Sequence, residues 1–308
     1  MNLSAIRYQI NVQRSALCLA VLSLMLALLS PAAVCASTVP NLTQGDAMVN
    51  DDVQTLIDQG RLAMFGAEPS DAVHLFFRAA ETGSPRAMGA IGELHELGLG
   101  LEYSPKDAMV WYRRAAVAGD AESRARLGLM LINSHAVGSL EEGAELVQKA
   151  AAQGNAFGQF ALGQLQLQGM GVLQDEEAAI RNLTAAAEQE VPAASRLLGQ
   201  LYLEGRLVHR DPAMAATLLV EAARSGDTSA QTQLGALYRD GEGVEPDAIE
   251  AVYWFEKAAE RGNAEAMGNL GSMLLRGDEQ TQDQQRAIQL LRRAAELGQA
   301  AAQFQLGQ

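Results

Sequence analysis

The 308-residue chain offers few side chains whose type and spacing could do chemistry. His95-Glu96 opens like the helix of a zinc protease, which needs a second histidine four residues on to share one face with the first, but Leu99 stands at that position. His74, His95, His135 and His209 are otherwise scattered through separate stretches, without the spacing of a zinc site. Cys18 and Cys35 are the only thiols, and no G-x-S-x-G elbow or S-x-x-K pair is present, so a nucleophile has no recognisable setting. Gly169-Met-Gly171 and Gly241-Glu-Gly243 have the glycines of a phosphate cradle, yet such a loop follows a strand, and the pattern on either side of both is helical. Asp240, Glu242, Glu245 and Asp247 gather four carboxylates in eight residues, oxygen enough for calcium but without the ligand spacing of a calcium loop. A solvated acidic turn accounts for them. The expectation is a protein without catalytic residues, metal or cofactor.

The elements behind these residues are copies of one unit, best seen from Leu234 to Asn263. Ala230, Leu234, Leu237 and Tyr238 recur at the spacing that puts side chains on one helical face. Gly241 to Asp247 then supplies two glycines, a proline and an N-cap, with Glu250 placed to complete a capping box. Ala251, Trp254, Phe255, Ala258 and Ala259 form the apolar face of a second helix that ends at Gly262. The unit reads as an antiparallel helical hairpin.

Gly92, Gly128, Gly163, Gly199, Gly235, Gly271 and Gly307 follow one another at steps of 36, 35, 36, 36, 36 and 36. The alanine pairs beginning at Ala79, Ala115, Ala150, Ala186, Ala222, Ala258 and Ala294 keep the same steps. Two independent markers in one register mean stacked units. Small residues belong where helices cross closely, and the large residues before each alanine pair, such as Trp111-Tyr112 and Trp254-Phe255, belong in the core.

These motifs resemble the Sel-one-like repeats, a branch of the tetratricopeptide-like α/α solenoids; Leu198-Gly199-Gln-Leu-Tyr202, Gly169-Met-Gly171-Val172 and Trp111-Tyr112-Arg-Arg-Ala115-Ala116 carry the match. The resemblance covers residues 84–308, as six repeats and a partial last one, and a degenerate copy over 51–83 extends it. It implies an all-α fold: a right-handed solenoid of about seven hairpins with a repeat of about 36 residues, first helices lining a concave surface and second helices forming the outer wall. Asn182 departs from it, standing where other units have Trp111 and Trp254. So does Glu190, which replaces the terminal glycine before Val191-Pro192. We read that junction as drift in one weak unit rather than as a hinge or a docking notch.

Residues 1–36 read as a secretory signal peptide: Arg7 and Arg14, an apolar run from Ala16 to Leu29, Pro31, and small residues for cleavage after Ala36. At 14 residues the run is short of a bilayer span, and lipidation at Cys35 is the lesser reading because Ala32 and Val34 fit a lipoprotein signal poorly. Residues 37–50 read as a flexible leader. Cleavage removes both cysteines and takes the formal charge from −14 to −16, which argues against nucleic acid or an anionic membrane as partner.

What remains is surface. The first-helix positions four before, one before and three after the repeat glycine are expected to point into the stack, leaving those three before, one after and four after for the groove. In order these are Gly89, Glu93, Glu96; Ala125, Leu129, Ile132; Phe160, Gln164, Leu167; Arg196, Gln200, Leu203; Thr232, Ala236, Arg239. Phe157 joins the apolar middle. Phe157, Phe160, Leu129, Ile132 and Leu167, edged by Gln164, Arg196 and Gln200, have the composition of an interface centre, or alternatively of packing between repeats. The expectation is a non-enzymatic exported scaffold of the bacterial envelope binding a protein or peptide there. Two other readings are a cell-wall-active or β-lactam-binding enzyme, weakened because such relatives carry regular cysteine pairs, and a secreted effector that binds host proteins.

Overall fold

The structure, a computed structural model, describes residues 52–66, 69–276 and 283–307. The signal and leader readings lie outside these residues. The described part is helical throughout: α1 (Val53–Met64), α2 (Pro69–Glu81), α3 (Pro85–Leu97), α4 (Pro105–Val117), α5 (Ala121–Asn133), α6 (Ser139–Ala152), α7 (Ala156–Gln168), α8 (Glu176–Ala187), α9 (Pro192–Glu204), α10 (Pro212–Arg224), α11 (Thr228–Asp240), α12 (Ala248–Glu260), α13 (Ala264–Arg276), α14 (Gln284–Glu296) and α15 (Ala300–Leu306). Each odd-numbered helix packs most extensively on the even-numbered helix after it, and that helix on the next odd one, the neighbour-only pattern of an α/α solenoid.

The repeat glycine is explained by what faces it. A Cβ on Gly235 would lie 2.9 Å from the ring of Phe255, one on Gly92 2.8 Å from Tyr112, and one on Gly163 2.8 Å from Leu183. Those partners are fully buried. Gly60 meets Phe76 in the same way, so the degenerate first copy keeps the crossing although its step to Gly92 is irregular. At Gly128 the opposing atom is the backbone oxygen of Gly143, 2.5 Å from the would-be Cβ, so α5 and α6 approach backbone to backbone.

The hairpin turn is a repeated clamp. Gly98, Gly169, Gly205 and Gly241 cap the first helices in the left-handed region. The amide of the next helix's N-cap then donates back to the first helix, as Ser104 to the His95 carbonyl at 3.0 Å, Asp175 to Gln166 at 3.1 Å and Asp247 to Tyr238 at 2.9 Å. This amends the capping box read from sequence. Asp247 does accept from the amides of Ile249 (2.8 Å) and Glu250 (3.1 Å), but its own amide is taken by Tyr238 rather than by Glu250. Two more carboxylates of the acidic turn are likewise engaged: Asp240 pairs with Arg239 and Glu242 with Arg210.

Between units, the residue four before the repeat glycine reaches back to the open C-terminal end of the preceding second helix. Arg124 donates to the Ala116 carbonyl at 2.8 Å, Gln231 to Ala223 at 3.0 Å and Gln303 to Ala295 at 3.0 Å. Each adds a side-chain donor to a last-turn carbonyl that also accepts from the amide of the turn glycine, Gly119, Gly226 or Gly298.

The third full repeat is irregular where its sequence departs. Asn182 in the tryptophan slot donates to Gln166 at 2.9 Å and to the Ala178 carbonyl at 3.0 Å, a polar substitute for apolar packing. Glu190 adopts φ 61° at the position where Gly154, Gly226 and Gly262 have φ 75°, 91° and 87°. Val191 then starts α9 without a side-chain cap, where Asp120, Asn155 and Asp227 each accept from the backbone.

Candidate functional site

Consecutive first helices touch directly, α1 with α3, α3 with α5 and α5 with α7, closer than any consecutive pair of second helices, so the first helices form the inner face. The position three before the repeat glycine is not on that face. A Cβ on Gly268 would run into the side-chain amide of Gln299, and Arg196 pairs with Asp227 at 3.0 Å. In both cases the contact is the N-cap of the next first helix.

Phe160 occupies this inter-unit position, 6% exposed, packed with Leu183, Ala194 and Leu198. Ile132 is buried too, against Ala144, Val147 and Leu165. Neither can meet a partner. The sequence reading placed the groove about one column of side chains off, because helical periodicity fixes the angles between positions but not which column the next unit covers. The accessible inner stripe runs through positions six and two before and one after the glycine. Leu129, Phe157, Gln164, Arg196, Leu197 and Gln200 are half-buried on or beside it, with Leu167 at its edge.

At the N-terminal end of the stripe three first helices are clasped by one cation. Arg126 of α5 has its side chain 23% exposed and lies 3.0 Å from Glu122, 3.4 Å from Glu93 and 3.5 Å from Glu96. Tyr112 of α4 donates to Glu96 at 2.5 Å. On the far side the guanidinium lies 5.1 Å from the centre of the Phe157 ring on α7, within cation–π range. Burial works against the charge on Arg126, but Tyr112 and the carboxylates of Glu93, Glu122 and Glu96 together outweigh it and hold it more firmly protonated than usual. Burial pushes the Glu93 carboxyl up, with Arg126 pulling it back only in part, and it likewise pushes the Tyr112 phenol up.

Arg126, Glu122 and Leu197 were missed in the sequence. The signal was there in the repeat period: Arg126 follows Glu93 by 33 residues and Glu96 by 30, the separation that brings neighbouring first helices together. Gln54 with Arg86 and Arg239 with Asn269 bridge units in the same way. The histidines remain apart. His95 sits 3.3 Å from the Glu102 carbonyl, while His74, His135 and His209 are exposed in other units.

What the arrangement can do is hold a chain segment: an inner face with an apolar centre, amide side chains on one flank and a fixed charge cluster on the other. The Sel1 repeat profile matches six consecutive segments, 85–120, 121–155, 156–191, 192–227, 228–263 and 264–299. The chain belongs to the Sel1-repeat family. A Sel1 repeat protein from Oxalobacter formigenes is similar over 78% of this chain and 99% of its own, with 31% identity and a TM-score of 0.67. The protective antigen c5321 of uropathogenic Escherichia coli is 30% identical with a TM-score of 0.64 over 83% of this chain and 56% of that one. Chitin synthase regulatory factor 3 of Schizosaccharomyces pombe is 33% identical over 134 residues, 42% of this chain and 14% of that protein. The chain thus spans little of the curated relative and about half of the antigen. Sel1-repeat proteins are generally protein–protein interaction scaffolds, and the fold is typically non-catalytic. Among the described residues no helix is long and apolar enough to cross a membrane.

Proposed function

We propose that this Sel1-repeat chain is an exported scaffold of the bacterial envelope that seats a segment of a partner protein along its inner face. The observation that carries the reading is the half-buried stripe of Leu129, Phe157 and Leu197 on three consecutive first helices, flanked by Gln164 and Gln200. An aromatic anchor among aliphatic side chains with amide and arginine groups at the edge is the make-up of an interface centre. The export reading is supported by the charged, apolar and small-residue order of residues 1–36.

The test is affinity capture from envelope extract by the mature chain against Leu129→Asp/Phe157→Asp. Both side chains are partly open, so the variant is expected to melt as the parent does while losing the bound partner. Retention of the same partners by the folded variant would refute the inner-face site. Phe160→Asp serves as the contrasting control, since a carboxylate in that buried position unfolds the unit. For export, fractionation should find the chain outside the cytoplasm and shortened after Ala36; an intact chain in the cytoplasm refutes it.

A further inference from the structure

The outer wall carries a second groove whose charge is opposite to that of the chain as a whole. It lies between the second helices α4 and α6, with α5 beneath, and encloses about 710 Å³. Its floor is apolar, formed by Ala116, Leu127 and Leu146, and Val117 on its rim is 84% exposed. Arg113 stands on one wall and Lys149 on the other, with Arg124 at one end and a single carboxylate, Glu142, among the lining. Arg124 is fixed in place by its bonds to the Ala116 carbonyl and Gln153, and Lys149 is steadied by Glu145 at 2.6 Å. Arg113 is exposed and makes no ion pair among the described residues.

The repeat makes this junction comparable with the others. The two wall positions are Gln148 with Ala185 at the next junction, Thr184 with Glu221 at the one after, and Glu256 with Arg293 between α12 and α14. Only between α4 and α6 do both walls carry a cation, and only there does a cation also stand four before the repeat glycine. In a chain of formal charge −14 such a concentration leaves three positive groups around an apolar trough whose open side chains are Leu146 and Val117, and fields focused in a groove select the opposite sign.

We propose that this groove docks an acidic amphipathic helix of a partner protein. The two walls are helices running in the same direction, so a third helix can lie in the trough between them. Its apolar face would cover Leu146 and Val117, above the buried Leu127, and its carboxylates would reach Arg113 and Lys149. The α4 wall, 13 residues long, is about 20 Å at the rise of an α-helix, room for a partner helix of three to four turns. Because this groove opens on the outer wall, the chain could hold one partner inside and another outside. The proposal does not rest on the inner-face reading.

The experiment measures fluorescence anisotropy of a stapled 14-residue helical peptide with leucines on one face and glutamates on the other. The full mature chain is compared with Arg113→Glu/Lys149→Glu, with the milder Arg113→Gln/Lys149→Gln, and with Leu129→Asp/Phe157→Asp. The expected result is saturable binding that weakens with added salt, falls at least tenfold in the Glu pair and less in the Gln pair, and is unchanged in the inner-face variant. Circular dichroism melts of each variant establish that loss is not unfolding. Equal binding by the folded Glu pair, or equal binding of a peptide with lysines in place of glutamates, overturns the proposal. So does a self-association, seen by sedimentation, that the Glu pair abolishes, since the occupant would then be a second copy of this chain.

Discussion

Replacing Glu190 by glycine should stabilise the chain, although it removes a charged side chain and adds the most flexible residue. Glu190 has φ 61° at the end of α8, with its amide bonded to the Ala187 carbonyl at 2.8 Å, so the conformation is held by the turn. An L-residue with a Cβ pays roughly 1 to 2 kcal/mol in the left-handed region. Glycine escapes that cost but loses more freedom on folding, which returns roughly 0.4 to 1 kcal/mol. Taking the middle of each range, the net gain expected for Glu190→Gly is about 0.8 kcal/mol, which for a chain of this size moves the melting midpoint up by about 2 to 3 °C. Gly262→Ala is the mirror experiment: φ is 87° and a Cβ there has nothing within 4 Å, so backbone strain acts alone and the midpoint should fall by a similar amount. Thermal melts of parent, Glu190→Gly and Gly262→Ala under one buffer decide the matter. A midpoint for Glu190→Gly at or below that of the parent, with Gly262→Ala destabilised as expected, would refute the account of this junction as strained.

Three other substitutions probe the packing, the neighbouring cap and the charge clasp. Gly128→Ala would place a Cβ 2.5 Å from the Gly143 oxygen, a backbone atom that cannot swing aside, and should cost roughly 1 to 3 kcal/mol by chemical denaturation, the range for overpacking. Val191→Asn supplies the cap that Asn155 and Asp227 give their helices and should add up to about 1 kcal/mol before the loss of apolar contact beside Phe160 is subtracted; an unchanged melt for both Val191→Asn and its double with Glu190→Gly would show the cap is not what this helix lacks. Glu93 has a folded carboxyl held above its ordinary 4.5 by burial, so the folded chain binds its proton more tightly than the unfolded chain does. Its contribution is therefore fully present below 4.5 and is lost as pH rises through the higher folded value. The midpoint of Glu93→Gln minus that of the parent should accordingly shrink as pH is lowered from neutrality toward 5; a difference that grows would contradict the sign.

The hairpins, their caps and their crossings were legible because each recurs through the sequence and each has a local cause. A glycine facing Phe255, Tyr112 or Leu183 is small for the same reason in every copy, so the period could be read without knowing the contact. The turn was read less completely. Asp247 and Glu250 have the spacing of a capping box, but a competing acceptor, the Tyr238 carbonyl, lies on the other helix of the hairpin and takes the amide first.

The inner face was the least legible part, and the reason is physical. Which column of a first helix is covered depends on where the N-cap of the next unit lands, a property of the stacking geometry. The clue was the run of small residues three before the repeat glycine, Gly89, Ala125, Thr232 and Gly268, since a position that is repeatedly small is one against which something packs. Phe160 and Arg196 break that run, the one by filling the contact with an aromatic ring and the other by pairing with Asp227. The consequence reaches the candidate site: the ring that looked like its anchor holds two repeats together, and Phe157, one turn earlier and over Arg126, is left as the aromatic group on the accessible stripe. A ring gripped from one side by a guanidinium that three carboxylates hold in place is already oriented before a partner arrives, which reduces the ordering cost that binding must overcome.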